Sequence, residues 1–203
     1  MVKWIIFDVF STLVEKDKGY TTSEFQRLIG VKVTKEQFLR GFEEAACTRN
    51  FKNNKEAARA ICDYFHLSCN EQKLKEMSAF RDQGVLKTKL YSGYSKLLPL
   101  LKKKGFKLGV LSNTTHSEIK PVEKLYSKYF DNFFYSSDIG LLKPFIEIYE
   151  YVLEKLNVKP EEILFIDDKE ANLVIPRQLG WKTFYFKGKV TELNAFLKKE
   201  KLI

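Results

Sequence analysis

Four short stretches of the chain carry the residues able to do chemistry. Asp8 follows the apolar run Trp4-Ile5-Ile6-Phe7, and Ser112-Asn113 follow residues 106–111. Lys143 precedes Pro144, and Asp167-Asp168 follow Ile163-Leu164-Phe165-Ile166. If these ends meet, three carboxylates, a hydroxyl and a lysine share one pocket. Three carboxylates at ~4–6 Å repel by several kcal/mol in a site of reduced dielectric unless they protonate or bind a cation. One lysine cannot offset all three. A hard divalent ion with oxygen ligands can, and Mg²⁺ suits a pocket that also holds a phosphate. The chemistry predicted is metal-assisted displacement at phosphorus with a carboxylate as covalent nucleophile. Lys143 would balance charge on the transferring group and Ser112 would hydrogen-bond it. Each acid taken singly also reads as a helix cap or turn residue. The case rests on three such strand ends and a Lys-Pro pair occurring together.

The elements that must position these residues follow from the apolar pattern. Residues 2–7 form a short continuous apolar run, as does a strand buried on both faces of a parallel sheet. Residues 106–111, 163–166 and 181–186 have the same shape, with a weaker candidate at 132–135. Between them, Tyr94, Leu97, Leu98 and Leu101 keep helical spacing up to Gly105, and Ile146, Tyr149, Val152, Leu153 and Leu156 repeat it. Strand–helix alternation from residue 88 onward predicts an α/β fold with a doubly wound parallel sheet. In such a sheet ligands bind beyond the carboxyl ends of the strands, where the polar residues lie.

Residues 15–85 break the alternation and hold helix signals only. Thr21 with Glu24 and Thr34 with Gln37 have capping-box spacing, and Asn53 or Asn54 and Asn70 are further caps. The expected organisation is a core of residues 1–14 and 86–203 interrupted by an all-helical insertion, 15–85.

Taken together, Phe7-Asp8-Val9-Phe10-Ser11-Thr12-Leu13, Leu111-Ser112-Asn113, Lys143-Pro144 and Phe165-Ile166-Asp167-Asp168 resemble the four motifs of the haloacid dehalogenase (HAD)-like hydrolase superfamily. Their order and spacing match across nearly the whole chain. The insertion resembles that superfamily's small helical cap, of the C1 type. The resemblance implies a Rossmann-like core and a nucleophilic aspartate at Asp8. It also implies a Thr12 hydroxyl bonded to the first-motif loop or nucleophile. Ser112 and the backbone around Asn113 would hold the substrate anion, with Lys143 alongside. In metal-dependent members the Mg²⁺ would be held by Asp8, the carbonyl of Phe10 and Asp168, supported by Asp167. Asn172 falls where it could cap the next helix, with Pro176 in that helix's first turn or at a kink.

One position departs from the phosphatase pattern. Two residues after the nucleophile, those enzymes carry a second aspartate as general acid and base; here it is Phe10. Loss of such a group typically forfeits ~10²–10⁴ in rate. The metal site survives this change, because that position contributes its carbonyl. Transfer to Asp8 from esters or anhydrides with good leaving groups therefore remains open, and ordinary sugar phosphates should turn over slowly. The dehalogenase branch carries an aromatic at this position and needs no metal; there Asp8 would form an ester intermediate at carbon. Arg40, 32 residues after Asp8, lies near that branch's substrate-binding cap arginine, and Tyr149 also resembles it. The acidic pair Asp167-Asp168 does not fit it and would repel a haloacid.

The expected function is therefore a Mg²⁺-dependent phosphatase-type hydrolase acting on a small phosphorylated metabolite through an aspartyl-phosphate. The alternatives are a 2-haloacid dehalogenase and a catalytically weak member that binds a ligand or protein. Arg40, Arg49, Phe42 and Phe51 are candidates to line the pocket. His116 is a candidate substitute proton donor whose place also suits a helix end.

Composition bounds the remainder. With 203 residues, 44% hydrophobic and 14% aromatic, the chain can bury a sizeable core, which excludes disorder. Thirty-five basic against 26 acidic residues give a net charge of +9, but the bases are mostly lysine with no Arg/Lys stripe interleaved with aromatics. That argues against a nucleic-acid partner. No apolar run approaches the ~18 residues of a membrane span, and the first residues do not read as a signal peptide. Cys47, Cys62 and Cys69 form no CxxC pair, so reduced thiols and a cytoplasmic location are expected.

Overall fold

Short apolar runs that are hydrophobic on both faces bury themselves only when helices cover both sides of the sheet they form. The computed structural model, which describes residues 1–203, has that arrangement. In chain order it begins with β1 (Trp4–Phe7), β2 (Val14–Glu15), α1 (Thr22–Ile29), α2 (Lys35–Ala46), α3 (Asn54–Tyr64) and α4 (Glu71–Leu86). Then come β3 (Lys89–Leu90), α5 (Tyr94–Lys103), β4 (Lys107–Ser112), α6 (His116–Glu123), β5 (Asn132–Tyr135) and the one-turn α7 (Ser136–Ile139). The chain closes with α8 (Ile146–Leu156), β6 (Ile163–Asp167), α9 (Ala171–Gln178), β7 (Lys182–Tyr185) and α10 (Val190–Lys199).

Five strands form one parallel sheet in the order β5-β4-β1-β6-β7. Successive side chains of a strand point to opposite faces, and the two core clusters divide accordingly. Ile5, Phe7, Leu108, Val110, Leu164 and Ile166 pack under α5, α6 and α10, while Trp4, Ile6, Leu111, Ile163 and Phe165 pack under α8 and α9. Burying each such side chain is worth about 1.5–3 kcal/mol, so β1, covered on both faces, is the anchor of the sheet. The α/β fold and all five expected strands are present.

Helices α1–α4 enclose a third, separate cluster around Phe38, Ile61, Leu74 and Met77. Thr34 and Gln37 make the full reciprocal capping box, Thr21 accepts the Glu24 amide, and Asn53 and Asn70 cap α3 and α4. This layer meets the sheet layer mainly through polar contacts: Arg81 pairs with Glu118, and Ser117 donates to Asn54 (2.6 Å). No helix is long and apolar enough to cross a membrane.

Two features differ from the sequence expectation. The segment flanking the helices is not purely helical, because β2 and β3 pair antiparallel at its two ends, Val14 with Leu90 and Glu15 with Lys89. Two residues per strand are too few for an alternation to be read. The cysteines are not all reduced: Cys62 and Cys69 form a disulfide. The chain reverses after α3, with the Leu67 amide bonded to the Cys62 carbonyl at 2.9 Å. That turn brings the two Cα atoms to 6.2 Å, within bridging range. Cys47 is free and buried.

The entry to α5 depends on Gly93, whose φ of +100° lies in the left-handed region and whose Cβ position would meet Val190 Cγ1 at 3.1 Å. Gly93→Ala is expected to destabilise the protein by about 1–3 kcal/mol, read as a lower Tm with unchanged native spectra.

Candidate active site

The sheet register brings the polar residues together. Phe7 is level with Val110 on one side and Ile166 on the other, so the next residues of three adjacent strands leave the sheet side by side. The Asp8 amide still bonds the Ile166 carbonyl (2.8 Å). Asp8, Asp167 and Asp168 each offer a carboxylate oxygen, and these lie within 4.8 Å of one another. Lys143 arrives from the loop before α8. Asn113 holds that loop, its Nδ2 donating to the Lys143 carbonyl and its Oδ1 accepting the Lys143 amide, both at 2.9 Å. The buried Lys143 ammonium donates to Asp8 Oδ1 (2.7 Å), Asp167 Oδ2 (2.6 Å) and the Leu111 carbonyl (2.9 Å). All three of its protons are used. Burial alone would lower its pKa, but Asp167 and Asp8 outweigh burial and raise it above the ordinary lysine range.

The two terminal aspartates differ in environment. Asp167 is buried and surrounded by donors: besides Lys143, the Lys169 amide reaches Oδ1 (2.8 Å) and Asn172 Nδ2 reaches both oxygens (3.1 and 3.0 Å). Burial pushes its carboxyl upward against the opposing pull of Lys143. Asn172 therefore is not a helix cap. It lies within α9, one turn beyond Asp167, close enough for its amide to reach back. Asp168 is half-buried and lacks such donors, and burial together with Asp8 and Asp167 pushes its carboxyl up to about 7. An all-oxygen donor set with one under-compensated carboxylate fits a hard divalent cation.

The other expected residues fall as follows. Ser112 Oγ is buried, lines the cavity over the acids and has no hydrogen-bond partner. A buried hydroxyl of that kind is costly unless a ligand completes it. Thr12 Oγ1 is buried and also partnerless, so the bond expected from it to the Asp8 loop is absent. The Asn113 side chain is occupied in holding Lys143 and Glu43 rather than free to bind a substrate. Phe10 and Arg40 line the cavity, but Arg40 is tied to Glu44 and lies over the Phe145 ring at 4.2 Å. Phe42 lines the cavity, whereas Arg49 and Phe51 stack on each other outside it. His116 opens α6 and faces Asp138 at 3.5 Å, away from the cavity lining. The Tyr149 hydroxyl is turned into the core and donates to the Asn172 carbonyl (2.8 Å). Pro176 lies inside α9, past its first turn.

The cavity measures about 900 Å³. Several lining residues escaped the sequence reading, among them Glu43, Lys169 and Lys16. Glu43, buried on α2, accepts from Asn113 Nδ2 and Lys169 Nζ, both at 2.9 Å, and so ties the helical layer to the strand ends. Lys169, the residue after the acidic pair, makes the other half of that bridge. Lys16, just past β2, carries its ammonium 4.2 Å from the centre of the Phe10 ring. Burial lowers its pKa, with Glu118 opposing. Nothing in the local sequence distinguishes Glu43 or Lys16 from their charged neighbours. Only Lys169, adjacent to a recognised motif, offered any signal.

A family model described as haloacid dehalogenase-like hydrolase matches residues 2–180. Bifunctional epoxide hydrolase 2 of Rattus norvegicus is 32% identical over 104 residues, 48% of this chain and 19% of that protein, so the match spans about a fifth of its length. Glyceraldehyde 3-phosphate phosphatase of Methanocaldococcus jannaschii is 28% identical over 217 residues, covering 96% of this chain and 89% of that one. Among solved structures, a HAD family enzyme from Bacteroides thetaiotaomicron in complex with magnesium and inorganic phosphate superposes with a TM-score of 0.66. It is 19% identical, and the match covers 93% of this chain and 96% of that one. At that identity the likeness establishes the fold.

The raised carboxyl of Asp168 has a stability signature. Its folded pKa of about 7 lies above the unfolded value, so the folded state holds the extra proton between about pH 4 and 7. The penalty for ionising it is absent below that window and complete above it. In EDTA, Asp168→Asn is expected to raise Tm by several degrees at pH 8, and the gain should vanish as the pH approaches 4. A gain independent of pH would contradict this.

Proposed function

The chain belongs to the haloacid dehalogenase-like hydrolase family, and from that premise we propose that it is a Mg²⁺-dependent phosphatase-type hydrolase acting on a small phosphorylated metabolite through an aspartyl-phosphate. The observation that carries this reading is the convergence of Asp8, Asp167 and Asp168 beside the unpartnered Ser112 hydroxyl. An acidic cluster calls for a cation, and an orphaned buried donor calls for an acceptor. A phosphoryl group with its metal answers both. The phosphatase name of the M. jannaschii relative supports the reading.

Asp8 attacks phosphorus and the leaving oxygen departs, giving a phosphorylated Asp8 that water then hydrolyses. Lys143 pins the Asp8 carboxylate through Oδ1, so little reorganisation is needed before attack. Ser112 donates to a phosphoryl oxygen. Asp8, Asp168 and the carbonyl of Phe10 would hold the Mg²⁺, with Asp167 as support. When bound, the ion supplies positive charge that offsets the carboxylates and the phosphoryl oxygens. Helices α1–α4 serve as the cap, closing the cavity over the strand ends and excluding water.

Phe10 favours a second reading, a dehalogenase that forms an ester on Asp8 and needs no leaving-group acid. Against it stand the acidic pair and the inward-facing Tyr149 hydroxyl.

A phosphate-ester panel assayed with Mg²⁺ and with EDTA, alongside halide release from 2-haloacids, separates the two. Phosphate release that EDTA abolishes is expected; halide release indifferent to EDTA would replace the phosphatase reading with the second. Metal binding without turnover of either class would indicate a binding role. Asp8→Asn should lower turnover by about 10³-fold or more with the fold intact. Phe10→Asp, which restores a proton donor, should raise kcat on alkyl phosphates by about 10².

A further inference from the structure

Among the cations of the inner cavity, Lys16 stands apart. Lys143 is paired with Asp8 and Asp167, Lys169 with Glu43, and Arg81 with Glu118. The Lys16 ammonium has no carboxylate partner and lies over the Phe10 ring instead, 4.2 Å from its centre. Both residues line the cavity into which Asp8 and Ser112 open. A half-buried ammonium that makes no hydrogen bond or ion pair and rests on a ring face is incompletely compensated. An anion arriving beside Phe10 would complete it.

We propose that the preferred substrate is an acyl phosphate, whose leaving group departs as a carboxylate, and that Lys16 binds that departing oxyanion over the Phe10 ring. This deepens the phosphatase reading and rests on it. An alkoxide must be protonated as it leaves, and Phe10 has no proton to give. A carboxylate needs none; it needs only charge stabilisation, which a nearby ammonium supplies. In the first step an Asp8 oxygen bonds to phosphorus and the P–O bond to the acyl oxygen breaks. That electron pair stays on the acyl oxygen, leaving a free carboxylate and phosphorylated Asp8. In the second, the water oxygen bonds to phosphorus as the P–O bond to Asp8 breaks; one water proton stays on that oxygen, the other passes to a phosphoryl oxygen, and Asp8 keeps the electron pair as a carboxylate. No oxidant, reductant or further co-reactant is consumed. The apolar and aromatic part of the wall, Leu39, Phe42 and Phe80 among it, leaves room for an organic acyl group.

The test measures kcat/KM with Mg²⁺ for acetyl phosphate and for glycerol 3-phosphate, in the wild type and in Lys16→Met and Lys16→Arg. The wild type should favour acetyl phosphate by about 10² or more. Lys16→Met should lower kcat/KM for acetyl phosphate by about 10²-fold and collapse the ratio between the two donors, and Lys16→Arg should restore most of it. A purely structural role for Lys16 would lower both donors alike and leave the ratio unmoved, which would overturn its assignment. Equal wild-type rates on the two donors would overturn the acyl phosphate proposal while leaving the phosphatase reading in place. No phosphate release from either donor, with halide released from a haloacid, would overturn both.

Discussion

The site is organised around one buried ammonium. Lys143 is almost wholly withdrawn from solvent, yet its charge is retained because Asp8 and Asp167 lie 2.7 and 2.6 Å away and the Leu111 carbonyl takes its third proton. Taking an ammonium out of water costs several kcal/mol, and two well-placed carboxylates offset that cost only if their geometry holds. Removing Lys143 would leave two buried carboxylates facing each other uncompensated, which typically costs about 3–5 kcal/mol. The surroundings are built accordingly: Asn113 clamps the Lys143 loop, and Asn172 and the Lys169 amide fix Asp167.

That arrangement explains why the third acid behaves differently. Lys143 has no proton left for Asp168, and no other donor reaches it, so burial and the neighbouring carboxylates push it to about 7. The three acids are thus not equivalent. One is pinned by the lysine at the cavity edge, one is consumed in holding the lysine, and one is left without a donor. The Ser112 hydroxyl lining the same cavity is buried and has no hydrogen-bond partner. These two deficits, an under-compensated carboxylate and an unpartnered hydroxyl, are what the proposed metal and phosphoryl group would meet.

Much of this was legible beforehand for a specific reason. A polar residue ending an uninterrupted apolar run marks a strand terminus, and parallel strands put their termini on one edge. Asp8, Ser112 and Asp167 could therefore be assigned to one edge without knowing the strand order. Caps were legible for a similar reason: Thr34 with Gln37 and Asn70 act on amides within three residues of themselves. Asn172 was misread because capping is the commonest local use of an asparagine near a helix start. Its actual use, to hold Asp167 five residues back, depends on the turn between β6 and α9. The Cys62–Cys69 bridge was missed for the same reason, since a chain reversal of seven residues has no periodicity to read.

What the sequence by itself determined is the parallel sheet, the helical interruption and the identity of the edge where chemistry can occur. These follow from short-range apolar pattern and from burial, which act on each segment separately. What only the tertiary structure decided is the division of labour on that edge. Glu43 reaches Lys169 across 126 positions, Lys143 reaches Asp8 across 135, and Lys16 rests on Phe10 only because the chain curls back past β2. Charge–charge energies depend on distance in space, not along the chain. Which acid is paired, which is spare and which cation stands free are therefore properties of the folded arrangement alone.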